Sequence, residues 1–229
     1  AALFYKDIDS YVQRTRLLTT WADMGYSLDL LPTGFSPGTV FNVQSYYNTP
    51  GGPLKGYELS YQQPFTFLPG IWSKFGIQLN YTHVESSIKY MFSSAGNSNT
   101  SITTTFTDND LVNLSPNSYN ATLYYDDGKF SARVSTSYRD GYIGEILSQE
   151  SVWDLDGNQF ATPDVTGKNS VRNVDFNMSY KVNKKLSLTF EAINLLDTPD
   201  ERYVDSSRQM ADRYTVTGRQ YYVGARYKF

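Results

Sequence analysis

A single histidine, His83, and no cysteine leave this chain few routes to bond-breaking chemistry. One imidazole cannot build a histidine metal centre, and without thiols there is no disulfide framework, thiolate metal site, iron–sulfur cluster or cysteine nucleophile. A histidine-dependent hydrolase would need His83 as its base, yet the sequence holds no Gly-X-Ser-X-Gly elbow. His83 also continues the alternation of Phe75, Ile77, Leu79 and Tyr81, which points it away from the polar face bearing Ser and Asp. Trp153-Asp154-Leu155-Asp156-Gly157-Asn158 invites a calcium reading, but EF-hand spacing puts Val152 at the first ligand position and Pro163 at the last, so an acidic Gly-Asn turn fits better. The expectation is no catalytic residue, no metal and no cofactor.

Binding chemistry is better represented. Trp21, Tyr26 and Phe35 in one long polar segment, and Tyr142, Trp153 and Phe160 in another, are aromatic rings suited to stacking on a flat ligand; loop-on-loop packing is the alternative for each. Glu58, Arg133, Arg139, Asp175, Lys181, Glu191, Arg226 and Lys228 fall on the polar phase of alternating segments, where they either pair across strands or meet another part of the protein.

The elements that hold these residues have a period of two. Val174, Phe176, Met178, Tyr180 and Val182 alternate with Asn173, Asp175, Asn177, Ser179 and Lys181, which no helix would do. Phe130–Arg139 and Gln220–Phe229 repeat the pattern, and weaker versions surround Leu59, Ile77, Leu123 and Leu188. The predicted strands lie near 2–14, 41–64, 73–91, 116–126, 129–141, 171–182, 185–197 and 213–229, the first being poorly phased. Asp126-Asp127-Gly128-Lys129 and Asn183-Lys184-Lys185 read as tight turns, with a longer one over Pro64 to Ser73. The other links, roughly 18–40, 93–114, 142–170 and 199–212, are long and polar.

Composition agrees with a sheet that meets lipid. The 229 residues carry a net charge of -3, 20 Tyr and 16 % aromatic residues, giving a one-domain prior and no electrostatic footprint for nucleic acid. Mean hydropathy is -0.46, and no apolar run is long enough for a membrane helix. A membrane strand needs only about 9–11 residues, alternate ones facing lipid, so a barrel stays compatible. A soluble sandwich also alternates, but here one face is aromatic and aliphatic while the other collects the charges, and short turns at one end oppose long loops at the other. Tyr46, Tyr47, Tyr125, Tyr138 and Tyr180 are expected in girdles at the membrane boundary. The opening Ala1-Ala2-Leu3-Phe4-Tyr5-Lys6 is no signal peptide, which suggests a mature chain or a fragment.

Several segments resemble the C-terminal half of a TonB-dependent outer-membrane receptor: Phe4-Tyr5-Lys6-Asp7-Ile8, Gly56-Tyr57-Glu58-Leu59-Ser60-Tyr61, Asn80-Tyr81-Thr82, Phe130-Ser131-Ala132-Arg133, Glu191-Ala192-Ile193-Asn194-Leu195-Leu196-Asp197 and the closing Gly218 to Phe229. The resemblance covers essentially the whole chain, 1–229, as one C-terminal portion of a barrel domain. It implies an all-β, antiparallel transmembrane β-barrel of which about eight strands are present out of roughly 22, with plug and TonB box lacking. It implies energy-coupled uptake of a scarce nutrient, such as a siderophore-iron complex or an oligosaccharide, across the bacterial outer membrane. Partners would be the TonB–ExbB–ExbD complex acting through the absent N-terminal region, the barrel assembly machinery, outer-membrane lipid and lipopolysaccharide, and the nutrient. Tyr221, Val223, Ala225, Tyr227 and Phe229 then resemble the terminal-strand assembly signal. The competing readings are a self-contained eight-stranded barrel acting as anchor or adhesin, and an outer-membrane enzyme.

Overall fold

A computed structural model describes residues 1–95, 102–147, 152–153, 159–161 and 164–229; side chains at 16, 93–95, 102–104, 152–153 and 159–161 lie outside that description. Along the chain come β1 (Ala2–Thr20), the one-turn helix α1 (Trp21–Met24), β2 (Val40–Pro64), β3 (Phe75–Ser86), β4 (Ile88–Ala95), β5 (Ile102–Asn109), β6 (Asn117–Asp126), β7 (Phe130–Arg139) and β8 (Tyr142–Ile146). Then follow β9 (Val152–Trp153), β10 (Gln159–Ala161), β11 (Val165–Lys168), β12 (Val171–Lys181), β13 (Leu186–Ile193), β14 (Asp200–Val204), β15 (Met210–Thr215) and β16 (Gln220–Tyr227). Eight of these form one antiparallel wall in the order β1-β2-β3-β6-β7-β12-β13-β16. β1 and β16 stand at its two edges and do not pair with each other. The wall is an open sheet.

Turn chemistry sets the short-turn end. Asp127 Oδ1 accepts the backbone N–H groups of Lys129 (2.8 Å) and Phe130 (2.7 Å), with Gly128 in the left-handed region at φ 85. Asn183 Oδ1 does the same for Lys185 (2.8 Å) and Leu186 (3.0 Å). These side-chain acceptors satisfy donors that the ladders leave over, so each strand can reverse in a few residues.

Register then carries the alternation from strand to strand. Tyr61 faces Leu79, Leu79 faces Ala121, Leu123 faces Val134, Val134 faces Phe176, Met178 faces Phe190 and Phe190 faces Val223. One continuous apolar face results, and it is open to the surroundings: Leu59 is 47 % exposed, Val134 45 % and Val223 85 %. A soluble protein would have to bury such a surface. The opposite face is polar, with Thr122 and Ser135 hydroxyls 2.9 Å apart and Asn177 Nδ2 donating to Glu191 Oε1 at 2.9 Å. Gly76 sits on this face because the Tyr124 hydroxyl lies over it; a Cβ there would come 2.3 Å from that oxygen.

The structure departs from the sequence reading above the wall. β1 runs on to Thr20 and stays paired with β2 as far as Val40, far beyond residue 14. The segment 73–91 breaks at Ser87, and 213–229 divides into β15 and β16 around Gly218 at φ 75. The links expected as polar loops contain strands: β4 pairs with β5, and β15-β14-β11-β8 form a second sheet. Together they make a cap whose core is Ile88, Tyr90, Ile146 and Val165, against which Ile8 and Tyr11 of β1 also pack. This explains the poor phase of the first strand, since Leu3 and Tyr5 belong to the wall whereas Ile8 and Tyr11 belong to the cap. Gln13 fastens the two parts like a short strand: its Nε2 donates to Met91 O (2.7 Å) and its Oε1 accepts from Met91 N (2.9 Å).

A tight turn closes the cap between β14 and β15. Asp205, at φ 71, accepts from the Ser207 hydroxyl (2.6 Å), the Ser207 and Arg208 backbone amides (3.0 Å each) and Arg208 Nη2 (2.7 Å). The Arg208 guanidinium, followed by the Ser207 hydroxyl, holds its carboxyl well below the usual carboxylate range.

Two outcomes follow from this architecture. Val134→Arg, mid-wall on the apolar face, is expected to destabilise the lipid-reconstituted protein by about 2–4 kcal/mol in urea titrations, and Ser135→Arg on the polar face by far less. For Asp205, whose folded carboxyl titrates below the unfolded value of about 3.9, the contribution is complete above about pH 5 and fades as pH falls below about 4. Hydrogen exchange at amides 206–210, corrected for intrinsic rate, should accelerate on acidification, and Asp205→Asn should remove that dependence.

Candidate functional site

Two aromatic belts bound the apolar face. At the short-turn end Phe75 meets Tyr125 edge-on (5.0 Å), Tyr125 meets Phe130 (6.0 Å), and Lys129 lies over the Tyr180 ring (5.3 Å). At the long-loop end Tyr57 packs against Tyr81 (5.8 Å), Tyr119 stacks on Tyr138 (5.1 Å) and Arg172 covers Tyr138 (5.5 Å). Phe130 and Tyr138 are eight residues apart on β7, about 27 Å of strand or roughly 21 Å along the normal at a tilt of ~40°, close to the ~25 Å apolar band of membrane barrels. Tyr125, Tyr138 and Tyr180 thus occupy the belts. Tyr46 and Tyr47 do not join them: they pair with Arg14 and Gln13, eleven and ten positions from Tyr57 on the β1–β2 extension.

The hydroxyls of the upper belt reach a polar rim. Tyr81 Oη donates to Asn117 Oδ1 (2.6 Å), Asn117 Nδ2 donates to Asp140 Oδ2 (2.6 Å) and Tyr138 Oη donates to Asp140 Oδ1 (2.7 Å). His83 is part of this rim, 2.8 Å from Asn117 Oδ1 and 3.4 Å from Glu85 Oε1, with its ring 5.3 Å from that of Tyr57. Its place on the outward phase is the one its alternation indicates, and no hydroxyl nucleophile adjoins it among its described contacts.

The ligand-facing candidates divide into two places. Trp21, Tyr26 and Phe35 come together at the tip of the β1–β2 hairpin, where Trp21 touches Tyr26 (5.6 Å) and Phe41 (5.8 Å), and Phe35 touches Phe41 (5.5 Å). The local fold is dictated by Thr20, whose Oγ1 accepts Asp23 N to cap α1, and by Gly25 at φ 70, which ends it. Tyr26 and Phe35 remain more than half exposed. Phe41 escaped the sequence reading because it looked like the first residue of a strand. Tyr142 is elsewhere. The side chains of Trp153 and Phe160, and residues 154–158, lie outside the described residues.

Tyr142 lines a cavity of about 390 Å³ on the polar face where the wall meets the cap. Arg139, Asn173 and Asp175 rise from β7 and β12, while Lys168, Asp200 and Glu201 descend from β11 and β14. The Arg139 guanidinium lies 4.4 Å from the Tyr142 ring centre, and its Nε donates to Ser115 Oγ at 2.9 Å. Lys168 Nζ pairs with Asp200 Oδ2 at 2.7 Å, Asn169 Nδ2 donates to Glu201 Oε2 at 2.9 Å, and Asp175 Oδ1 accepts Asn194 N at 2.9 Å. Arg139 and Asp175 were legible as polar-face charges. Lys168, Asp200 and Glu201 were not, because they lie in segments read as loops, and β11 and β14 are too short to carry a periodic signal. No group of three or more His, Asp or Glu suited to a metal occurs among the described residues.

Tyr221, Val223, Ala225 and Tyr227 share the outward face of β16, and Phe229 follows, edge-on to Tyr227 at 5.4 Å.

Comparison with known proteins places this geometry. The sequence profile of the family described as TonB dependent receptor-like, beta-barrel, matches residues 1–195. Among solved structures the chain is similar to the ferric enterobactin receptor PfeA of Pseudomonas aeruginosa, at 11 % identity and a TM-score of 0.52, over 99 % of this chain and 28 % of that one. It is also similar to the ferric-catecholate import receptor Fiu of E. coli K12 in its closed form, at 12 % identity and a TM-score of 0.38, over 96 % and 40 % respectively. The first likeness is one of fold. This chain spans less than half the length of either receptor. No curated protein matches significantly.

Proposed function

The chain belongs to the TonB-dependent receptor β-barrel family, and from that membership we propose that it supplies part of the wall, and the cap above it, of an energy-coupled importer in the bacterial outer membrane. Its cargo is a scarce nutrient of the kind such receptors carry, a siderophore-iron complex or an oligosaccharide. In this reading residues 1–229 are a C-terminal portion of the barrel domain, and a plug carried elsewhere in the protein engages the TonB–ExbB–ExbD complex, which draws on the proton motive force. The cap and the polar cavity beneath it face the outside, where ligand arrives, and the short turns face the periplasm. Trp21, Tyr26 and Phe35 are first-contact candidates at the hairpin tip, with Tyr142 below them. β16 offers the alternating Tyr221 to Phe229 face to the assembly machinery, and the Tyr belts meet lipid and lipopolysaccharide headgroups.

The observation that carries the reading is the in-register apolar face between two aromatic belts on a sheet whose edges, β1 and β16, remain unpaired. Unpaired edges are not tolerated in hydrocarbon, so this wall calls for further strands on either side. An eight-stranded anchor would instead need β1 paired with β16.

Deleting the receptor gene and deleting the TonB gene should produce the same growth defect on one member of a panel of ferric siderophores and neutral oligosaccharides, offered as sole iron or carbon source. An uncoupler should abolish uptake of that compound. Growth of the receptor deletion strain equal to the parent on every member of the panel would remove the importer reading.

A further inference from the structure

We propose that the short-turn end of the wall, from β7 to β16, binds the phosphate groups of an anionic glycerophospholipid in the leaflet beside it. This rests on the membrane-wall reading and is independent of the cargo. Five lysines stand there on neighbouring strands or their turns: Lys129 before β7, Lys181 at the end of β12, Lys184 and Lys185 in the turn to β13, and Lys228 after β16. Their backbones are in contact, Lys181 N donating to Lys129 O at 2.9 Å and Lys228 N to Lys185 O at 2.8 Å. All five are exposed, and none pairs with a carboxylate among the described residues. Lys181 Nζ donates to Gly128 O at 2.9 Å and Lys129 lies over the Tyr180 ring, contacts that place the two ammonium groups without neutralising them. Segments 128–133, 179–189 and 224–229 contain no Asp or Glu. Asp126 and Asp127 border the rim, but their oxygens are turned into their own hairpin, onto Gly128 N (2.8 Å) and onto the Lys129 and Phe130 amides. Like charges on adjoining strands repel one another, and an anion among them removes that cost.

Charge is segregated along the chain to the same effect. Segments 62–75, 124–131, 181–187 and 226–229, which make up the short-turn end, hold seven of the 20 basic residues and two of the 23 acidic ones, leaving 13 and 21 for the rest. This end is therefore positive and the remainder negative. Apolar surface beside the rim selects a lipid over a soluble anion. The Lys129 ammonium is held over Tyr180, a ring of the apolar face, as a lysine does whose stem lies along lipid while its charge reaches the headgroups. Tyr227 and Phe229, edge-on to each other, continue that face below Leu186. At the other side of the same end, the β2–β3 turn exposes Phe67 (70 %), Ile71 (60 %) and Trp72 (60 %), and Trp72 packs on the belt residue Phe75 at 5.7 Å. A turn of that composition beside an aromatic belt prolongs the apolar face and meets acyl chains. An anionic lipid supplies both the chains and the phosphate, whereas a free phosphate or a soluble cell-wall fragment supplies charge alone.

The test is native mass spectrometry of the full-length receptor, released from detergent after equilibration with equal amounts of dioleoyl phosphatidylglycerol and dioleoyl phosphatidylethanolamine, which share acyl chains and differ in net charge. Phosphatidylglycerol should be retained at least about fivefold over phosphatidylethanolamine. Lys129→Gln, Lys184→Gln and Lys185→Gln together should reduce that preference below about twofold, and Lys129→Gln alone should roughly halve it. The three corresponding Lys→Arg changes should keep the preference, and Lys55→Gln, at the long-loop end, should leave it as in the parent. Glycerophosphoglycerol, the same headgroup without chains, and soluble muropeptides should not displace the lipid even in large excess. Retention of the heat-modifiable band on gels reports an intact barrel in each variant; where the triple variant loses it, Lys129→Gln alone decides. The proposal is overturned if the two lipids are retained equally, if the Gln variants keep the full preference with the barrel intact, or if the chain-free headgroup or the muropeptides displace the lipid. Failure of the membrane-wall reading looks different: the purified receptor stays dispersed without any detergent.

Discussion

Hydrocarbon offers no partner to a peptide group, so a chain crossing it as strands must satisfy each N–H and C=O sideways, in a neighbouring strand. The wall obeys this from β2 to β13 without a register shift, and the alternation follows from it. Once the ladders are fixed, side chains can only point one way or the other, and a slip of one residue would turn Arg133, Asp175 and Glu191 into lipid and Val134, Phe176 and Phe190 into water. The hairpins guard against such a slip at the short-turn end, where Asp127 and Asn183 lock the reversal through backbone amides.

Above the upper belt the constraint is lifted, and the structure changes character. Strands shorten, registers shift at Thr166/Gly167 and at Arg202/Tyr203, and side chains take over hydrogen bonds that ladders supply below. A protein-like core forms there, with Ile88, Tyr90 and Val165 fully buried while Leu59, Val134 and Val223 on the apolar face of the wall stay exposed. Burial also pushes the Tyr90 phenol far above its usual range, although its oxygen accepts Val112 N at 3.0 Å. The β1–β2 hairpin spans both regimes. Its lower part obeys the lipid pattern through Leu3, Tyr5 and Tyr57, and its upper part is held by Gln13 and Tyr11 against β4.

This change of regime explains what was legible in the sequence. The wall strands could be read because lipid and water impose a strict contrast on successive residues, as in Asn173–Lys181, and the tight turns because Asp-Gly and Asn-Lys sequences have few other uses. Tyr125, Tyr138 and Tyr180 lie near the ends of wall strands, whereas Tyr46 and Tyr47 have the same composition around them but sit on the part of β2 that extends beyond the wall. How far a strand continues past the boundary is set by its partner, here Thr20 against Val40, and a single strand carries no sign of it. The cap strands were missed for a related reason. β8, β11 and β14 span only four or five residues each, too few to show a period, and they are strands because tertiary packing on Ile88 and Tyr90 makes them so.

Where the two regimes meet, adjacent residues serve opposite sides. Tyr138 points outward and gives its hydroxyl to Asp140; Arg139 points inward, onto Tyr142 and Ser115. Ser115 in turn donates to the Asp140 carbonyl at 2.8 Å, and Asn117 ties the other Asp140 oxygen to Tyr81 on β3. A tyrosine of the upper aromatic belt is therefore linked, through one aspartate and one serine, to the guanidinium that lines the cavity. Holding a side chain rigid requires that its supports be rigid, and here the support is the hydrogen-bonded rim of Asp140, Ser115 and Asn117. Arg139 and Asp175 belong to the wall half of the cavity, while Lys168, Asp200 and Glu201 belong to the cap half. The Arg139–Tyr142 contact therefore crosses from wall to cap, whereas the Lys168–Asp200 pair lies wholly within the cap sheet, so a displacement of the cap against the wall would strain the first and leave the second intact.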